Sequence, residues 1–212
     1  MDKRPDALIV IDMQRDFLDP GGYAATAGMD VSALRLPIPY IRTLLDHARR
    51  HGMLVVHTRE GHRPDLSDCP PVKLARSSQA GAEIGSQGPL GRLLVRGEYG
   101  HDFVDELQPQ AGEPVVDKPG YGAFHQTDLA QILAARDIRR LYLCGVTTEV
   151  CVHSTLREAT DRGYECVLVA DACGSAHPRL HEAALQMVAV EGGIFGRVAD
   201  TRTVITELEV SK

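Results

Sequence analysis

Ala7-Leu8-Ile9-Val10-Ile11 is an unbroken apolar run that stops at Asp12, the pattern of a strand covered on both faces. Comparable stretches recur at 53–56, 113–117, 140–144 and 165–169, with a last short one at 197–198. Between them lie helical patterns. Ile38, Ile41, Leu44, Leu45 and Ala48 recur at helical spacing, and Thr127-Asp128 reads as the cap and first turn of a helix reaching about residue 136. A further helix follows Thr147 and is stopped by Gly163, one spans 177–190 before Gly192-Gly193, and one spans 202–208. Strand and helix in alternation predict a parallel sheet with helices on both faces. In such sheets ligands bind outside the carboxyl ends of the strands. Asp12, Lys118 and Cys151 each follow a different strand at that end.

A chain of 212 residues is expected to form one domain spanning 1–212. The stretch 59–100, rich in Gly, Pro, Ser and charge, reads as a long surface excursion, and loops of that length are functional or disordered. A net charge of -6 and the lack of basic, aromatic-interleaved clusters argue against a nucleic-acid partner. No apolar run reaches the roughly 20 residues needed to cross a bilayer, and the N-terminus lacks the pattern of a signal peptide. A soluble, cytoplasmic protein is expected. Its five cysteines form no C-x-x-C pair and no even set, which favours reduced thiols.

Cys151 is the cysteine with a chemical context, because a strand ends at Gly145 and a helix begins just before the thiol. Unpaired N–H groups at a helix start lower a thiol pKa, and the thiolate is the nucleophile. Asp12 can take the thiol proton if burial raises its own pKa, and Lys118 can offset negative charge in a dry site. The backbone N–H groups of Thr147 and Cys151 are candidates for an oxyanion hole. Each residue has a plainer alternative: Asp12 as a turn cap, Lys118 as a solvated side chain, Cys151 as a small apolar filler. Their convergence at one sheet edge favours chemistry.

The blocks Ile9-Val10-Ile11-Asp12-Met13-Gln14-Arg15-Asp16-Phe17, Lys118-Pro119-Gly120-Tyr121-Gly122-Ala123-Phe124 and Gly145-Val146-Thr147-Thr148-Glu149-Val150-Cys151-Val152 resemble, in order, the signatures of the isochorismatase-like cysteine hydrolases. The resemblance covers roughly 7–200. It implies a three-layer α/β/α fold with a six-stranded, mostly parallel sheet, a catalytic Asp12, Lys118 and Cys151, a cis peptide between Val146 and Thr147, and a homodimer or homotetramer. Isochorismatases proper lack the nucleophilic cysteine, so Cys151 points to the amidase branch. Nicotinamidases carry a metal-binding Asp-x-His and a second His that the segment 57–65 does not reproduce. His57, Glu60 and His62 have the chemistry to hold zinc, with loop hydrogen bonding as the alternative, and no metal or organic cofactor is expected.

The segments 57–65 and 157–166 are similar to the ureide-cleaving subgroup, which includes biuret hydrolase, triuret hydrolase and ureidoacrylate amidohydrolase. Biuret hydrolases carry a substrate-contacting glutamine immediately before the Gly-Gly, where this chain has Glu191. A carboxylate only accepts hydrogen bonds, so Glu191 shifts the expectation from biuret to a longer oligo-urea such as triuret. Hydrolysis of a terminal carbamoyl C–N bond through a thioester on Cys151 is expected. Phe17 and Phe124 are candidate walls for a planar substrate, or core and loop packing. Arg76 is a candidate for a polar substrate end, or a solvated arginine. Other amide substrates (ureidoacrylate, a carbamoyl amino acid, nicotinamide) and a non-catalytic binding role are the alternatives.

Overall fold

Parallel pairing is what the doubly covered apolar runs produce. The computed structural model describes residues 5–210. In chain order it runs β1 (Asp6–Ile11), the short helices α1 (Arg15–Leu18), α2 (Tyr23–Thr26) and α3 (Val31–Arg35), then α4 (Ile38–Arg50), β2 (Leu54–Glu60) and α5 (Pro71–Gln79). A small antiparallel pair, β3 (Gln87–Gly88) and β4 (Gly91–Arg92), precedes β5 (Val115–Lys118), α6 (Leu129–Ala134) and β6 (Arg140–Val146). A single π-helical turn (Thr148–Val152) leads into α7 (His153–Asp161), followed by β7 (Glu165–Gly174), α8 (Pro178–Gly193), β8 (Arg197–Ala199) and α9 (Thr201–Val210). Six strands form one sheet in the order β5-β2-β1-β6-β7-β8, every pair parallel. At its centre Ile9 lies between Val56 and Leu143.

The strand order explains where a ligand can bind. From β1 the chain moves outward to β2 and β5, and from β6 it moves outward the other way to β7 and β8. Right-handed crossovers in opposite directions place their helices on opposite faces. α4 accordingly packs on β1, β2 and β7 with α9 beside it, while α7 and α8 also lie against β7. β1 and β6 are neighbours whose connections diverge, so a crevice opens between their carboxyl ends.

Several boundaries depart from the sequence expectation, each for a tertiary reason. β2 continues past Val56 to Glu60 because its polar end keeps pairing with β5. α6 is shorter than 127–136: Thr127 Oγ1 donates to the Ala123 carbonyl and accepts from the Leu129 N–H at 3.3 Å, and the helix gives way to a turn in which Asp137 is left-handed at φ 51°. α8 loses helical geometry at Val190, Glu191 and Gly192, so the Gly-Gly acts as a stop. The stretch 59–100 is far from a plain surface loop. It contains α5 and buries Ile84, Leu93, Leu94 and Val95, apolar residues scattered among glycines with no readable period. Among the described residues no helix is long and apolar enough to cross a membrane.

Candidate active site

Asp12 follows β1 in a left-handed conformation, φ 53°, which is costly for a residue with a Cβ. Its neighbours hold it there: the Asp12 N–H donates to the Thr58 carbonyl at 3.1 Å, and the Thr58 hydroxyl donates to Asp12 Oδ1 at 2.6 Å. On the adjoining strand Gly145 sits at φ 120°, and a Cβ there would fall 2.0 Å from the Ile11 carbonyl oxygen. Only glycine lets β6 pass this close to β1. The next peptide, Val146–Thr147, is cis, and the π-helical turn follows. That turn is pinned from three sides. The Thr147 carbonyl accepts from the Val150 and Val152 N–H groups, Thr148 Oγ1 donates to the Gly174 carbonyl, and Thr155 Oγ1 donates to the Cys151 carbonyl.

Lys118 ends β5, two strands from β1, and its long side chain spans the gap. Its Nζ lies 2.8 Å from Asp12 Oδ2 and donates to the Gly120 and Tyr121 carbonyls at 3.0 and 2.9 Å. Asp12 and Lys118 have no exposed surface and Cys151 is 4% exposed. The sequence-predicted trio therefore meets in one dry cluster at the β1–β6 crevice.

A fourth and a fifth group join it. Cys151 Sγ donates to Glu60 Oε2 at 3.1 Å, and the same oxygen lies 3.4 Å from Lys118 Nζ. Glu60 Oε1 is 2.7 Å from Nζ of Lys73, which comes from α5 and also donates to the Pro119 carbonyl at 2.6 Å. Gln14 fixes the Glu60 backbone from both sides, accepting from its N–H and donating to its carbonyl. Sequence reasoning treated Glu60 only as a metal candidate and missed Lys73. Glu60 was recoverable, because alternate residues of a strand share a face and Thr58 and Glu60 turn together toward Asp12 and Cys151. Lys73 left no such signal.

Electrostatics separates the two carboxylates. Burial raises the Asp12 pKa; Lys118 opposes this and Glu60 adds to it. Burial acts the same way on Glu60, but Lys118 and Lys73 together outweigh it and hold the group at about 2. For Lys118, the attraction of Asp12, Cys151 and Glu60 more than reverses the lowering by burial. The Cys151 thiol is pushed well up, by burial first, against the pull of Lys118. The helical start expected before the thiol is present as the π-helical turn that carries Cys151 into α7, but burial outweighs whatever acidifies the thiol there. The resting thiol keeps its proton until a base removes it.

The remaining sequence candidates separate. Phe17 is buried in the core and meets Tyr23 edge to face at 6.0 Å. Tyr23 in turn has its pKa raised to about 12, by burial first and then by the charges of Glu60, Tyr121 and Cys151. Phe124 stacks on Tyr164 at 5.9 Å beneath the Arg162 guanidinium, a packing contact. Arg76 lines a groove of about 610 Å³ together with Lys73, Pro119, Tyr121, His125 and Glu158. Glu191 is exposed at the far end of α8, where helical geometry is lost, ten residues on from His181, whose Nδ1 meets Thr148 Oγ1 at 2.9 Å.

The possible metal trio is also dispersed. His57 points to the other face of β2, with Nε2 2.9 Å from Glu113, while His62 Nδ1 is 3.3 Å from Asp68. Asp12, Glu60 and Cys151 bring three ligand-type atoms within 4.8 Å of one another, but the Lys118 and Lys73 ammonium groups already occupy the carboxylates. Such a set suits proton transfer better than a cation.

Comparison with known proteins agrees with this geometry. The profile of the isochorismatase domain matches residues 6–203. Among solved structures, the chain is similar to an isochorismatase family protein from Desulfovibrio vulgaris subsp. vulgaris str. Hildenborough, at 29% identity over 98% of this chain and 100% of that one, with a TM-score of 0.80. A cysteine hydrolase from Pseudomonas syringae pv. phaseolicola 1448A shares 28% identity over 98% and 93% of the two chains, TM-score 0.82. N-carbamoylsarcosine amidase from Thermoplasma acidophilum shares 25% over 93% and 96%, TM-score 0.70.

Proposed function

Because the chain belongs to the isochorismatase family, whose members are hydrolases, we propose that it is a cysteine amidohydrolase cleaving a terminal carbamoyl C–N bond of a small ureide. The observation that carries this is a buried thiol flanked by two carboxylates of unlike basicity, with Lys118 between them. Asp12, the carboxylate with the raised pKa, takes the Cys151 proton. The thiolate attacks the carbonyl carbon, and the N–H groups of Thr147 and Cys151 receive the oxyanion. As the C–N bond breaks, Asp12 returns its proton to the leaving nitrogen and ammonia departs. Water, deprotonated by Asp12, then cleaves the thioester, releasing an acid that for a ureide is a carbamate prone to lose carbon dioxide. Lys118 stays charged throughout and offsets whichever of Asp12 and Cys151 is anionic.

A relative named for an N-carbamoyl substrate supports the carbamoyl class. Triuret is the first compound to test and biuret the second, an order that rests on the carboxylate of Glu191 at the end of α8. A homodimer or homotetramer is part of the proposal. It is supported by Leu180, Met187, Val190 and Ile194, which leave an apolar stripe exposed along α8 and its C-terminal end.

Ammonia release across triuret, biuret, ureidoacrylate, N-carbamoyl amino acids and nicotinamide, with and without chelator, tests the reading. Turnover of a ureide that is insensitive to chelator and lost in Cys151→Ala is expected. Turnover confined to nicotinamide, or chelator-sensitive, would overturn it.

A further inference from the structure

Two carboxylates flank one thiol, and they differ in their cations. Asp12 pairs with Lys118 and a hydroxyl; Glu60 faces Lys118 at 3.4 Å and Lys73 at 2.7 Å. If Cys151 becomes a thiolate, three anionic groups would face two ammonium groups, so one carboxylate must take the proton. The group with fewer cations is the one to do so. Yet the thiol hydrogen points at Glu60, the wrong group for a base.

We propose that Glu60, kept ionised by Lys73, is the acceptor for the N–H groups of the scissile carbamoyl, and that the Lys73–Glu60 pair directs the Cys151 proton to Asp12. Once sulfur bonds to carbon it has no hydrogen to give, and Glu60 Oε2 keeps only the longer contact from Lys118, at 3.4 Å. A buried carboxylate only accepts hydrogen bonds, and the –NH2 of a primary amide or urea supplies the donor that an ester lacks. Glu60 is thus a binding residue that selects carbamoyl nitrogen, and Lys73 is a positioning residue acting through it. The groups facing Glu60 are Lys73 from α5, Lys118 from β5, Asp12 after β1, Cys151 on the π-helical turn, Tyr23 of α2 and His62 after β2. The substrate half of this inference rests on the amidohydrolase reading. The proton half does not.

The pH dependence of Cys151 labelling by methyl methanethiosulfonate, read by mass spectrometry of the Cys151 peptide in the full chain, tests the proton half. Glu60→Gln removes an anion beside the thiolate and is expected to lower the labelling midpoint by about 1 pH unit; Lys73→Met removes a cation and raises it by a similar amount. Lys73→Arg restores the wild-type midpoint. Packing damage would not move two variants in opposite directions, and circular dichroism on each confirms that it folds. Midpoints that stay put, or move together, overturn the proposal even if ureides are hydrolysed.

For the substrate half, Glu60→Gln is expected to cut kcat/KM for the carbamoyl substrate by roughly 10²-fold while p-nitrophenyl acetate hydrolysis changes only a few-fold. Equal losses on amide and ester overturn that half. If no ureide is turned over by the wild type, the function falls and the labelling result still decides the role of Lys73.

Discussion

The two faces of the polar end of β2 make opposite uses of buried charge. On one face Thr58 and Glu60 join the thiol cluster, where the cations are lysines and nothing is more than 7% exposed. On the other, His57 and Arg59 meet Glu113, Asp117 and Asp102, and the cations are mainly arginines. The Arg49 guanidinium grips both oxygens of Glu113 at 2.8 and 2.9 Å, and Arg59 grips both of Asp117 at 2.7 and 3.2 Å. A bidentate fork saturates a carboxylate and fixes it as an anion. Burial works against the charge on Glu113, but Arg49, the Gln110 N–H and His57 outweigh it and hold the pKa at about 2. An ammonium is a point charge and leaves lone pairs unused, so Asp12 stays basic beside Lys118. The same strand thus carries a reactive pair and an inert one, separated by a single residue.

Breaking the reactive face has the largest expected effect. Cys151→Ala should lower kcat/KM on the best ureide by at least ~10³-fold, with little change in Tm, in an ammonia-release assay beside a melting curve. Asp12→Asn should cost on the order of 10²–10⁴-fold and abolish the acid limb of the pH–rate profile, which in the wild type lies above the ordinary aspartate range. The inert face should answer in stability instead. Arg59→Met takes the close guanidinium from partly exposed Asp117 and Asp102 and should cost about 1–2 kcal/mol, or a Tm drop of roughly 3–6 °C, with activity per folded molecule held within about twofold. Loss of activity at unchanged Tm in Arg59→Met would erase the distinction between the faces.

The smallest effect concerns the sign of the pH dependence of stability. Glu113, depressed from 4.5 to about 2, contributes stability that is complete above its unfolded value and lost as pH falls from about 4.5 toward 2. Asp12, raised from 3.8, contributes in the opposite sense: its stabilisation is present below 3.8 and lost as pH rises through its folded value. Melting curves from pH 2 to 7 should therefore lose part of their acid decline in Glu113→Gln, and rise more steeply with pH in Asp12→Asn.

The positions that could be read from sequence are those where a one-dimensional pattern breaks. Asp12 ends an apolar run and Cys151 follows a glycine that ends another; Lys118 stands before Pro119-Gly120. Glu60 lies four residues beyond the apolar part of β2, where a parallel strand turns polar and its register depends on β5. Lys73 reaches the site through the placement of α5, which no local periodicity specifies. The direction of Phe124 was not legible, because an aromatic beside a signature block has no visible orientation in sequence; the chain turns it toward Tyr164. Glu191 lies some ten residues along α8 from the contact with the π-helical turn, a separation visible only once the helix is docked.

The contact between Gly145 and the Ile11 carbonyl bears on how such a protein can change over generations. Asp12 and Cys151 extend from two central strands that touch backbone to backbone, where even one added methyl at Gly145 would collide with the neighbouring strand. That seam tolerates no redrafting. Lys73, Arg76 and Tyr121, which line the adjoining groove, sit on a short helix and a loop outside it. A lineage can rewrite those segments and take up new amides while the reaction itself is inherited intact.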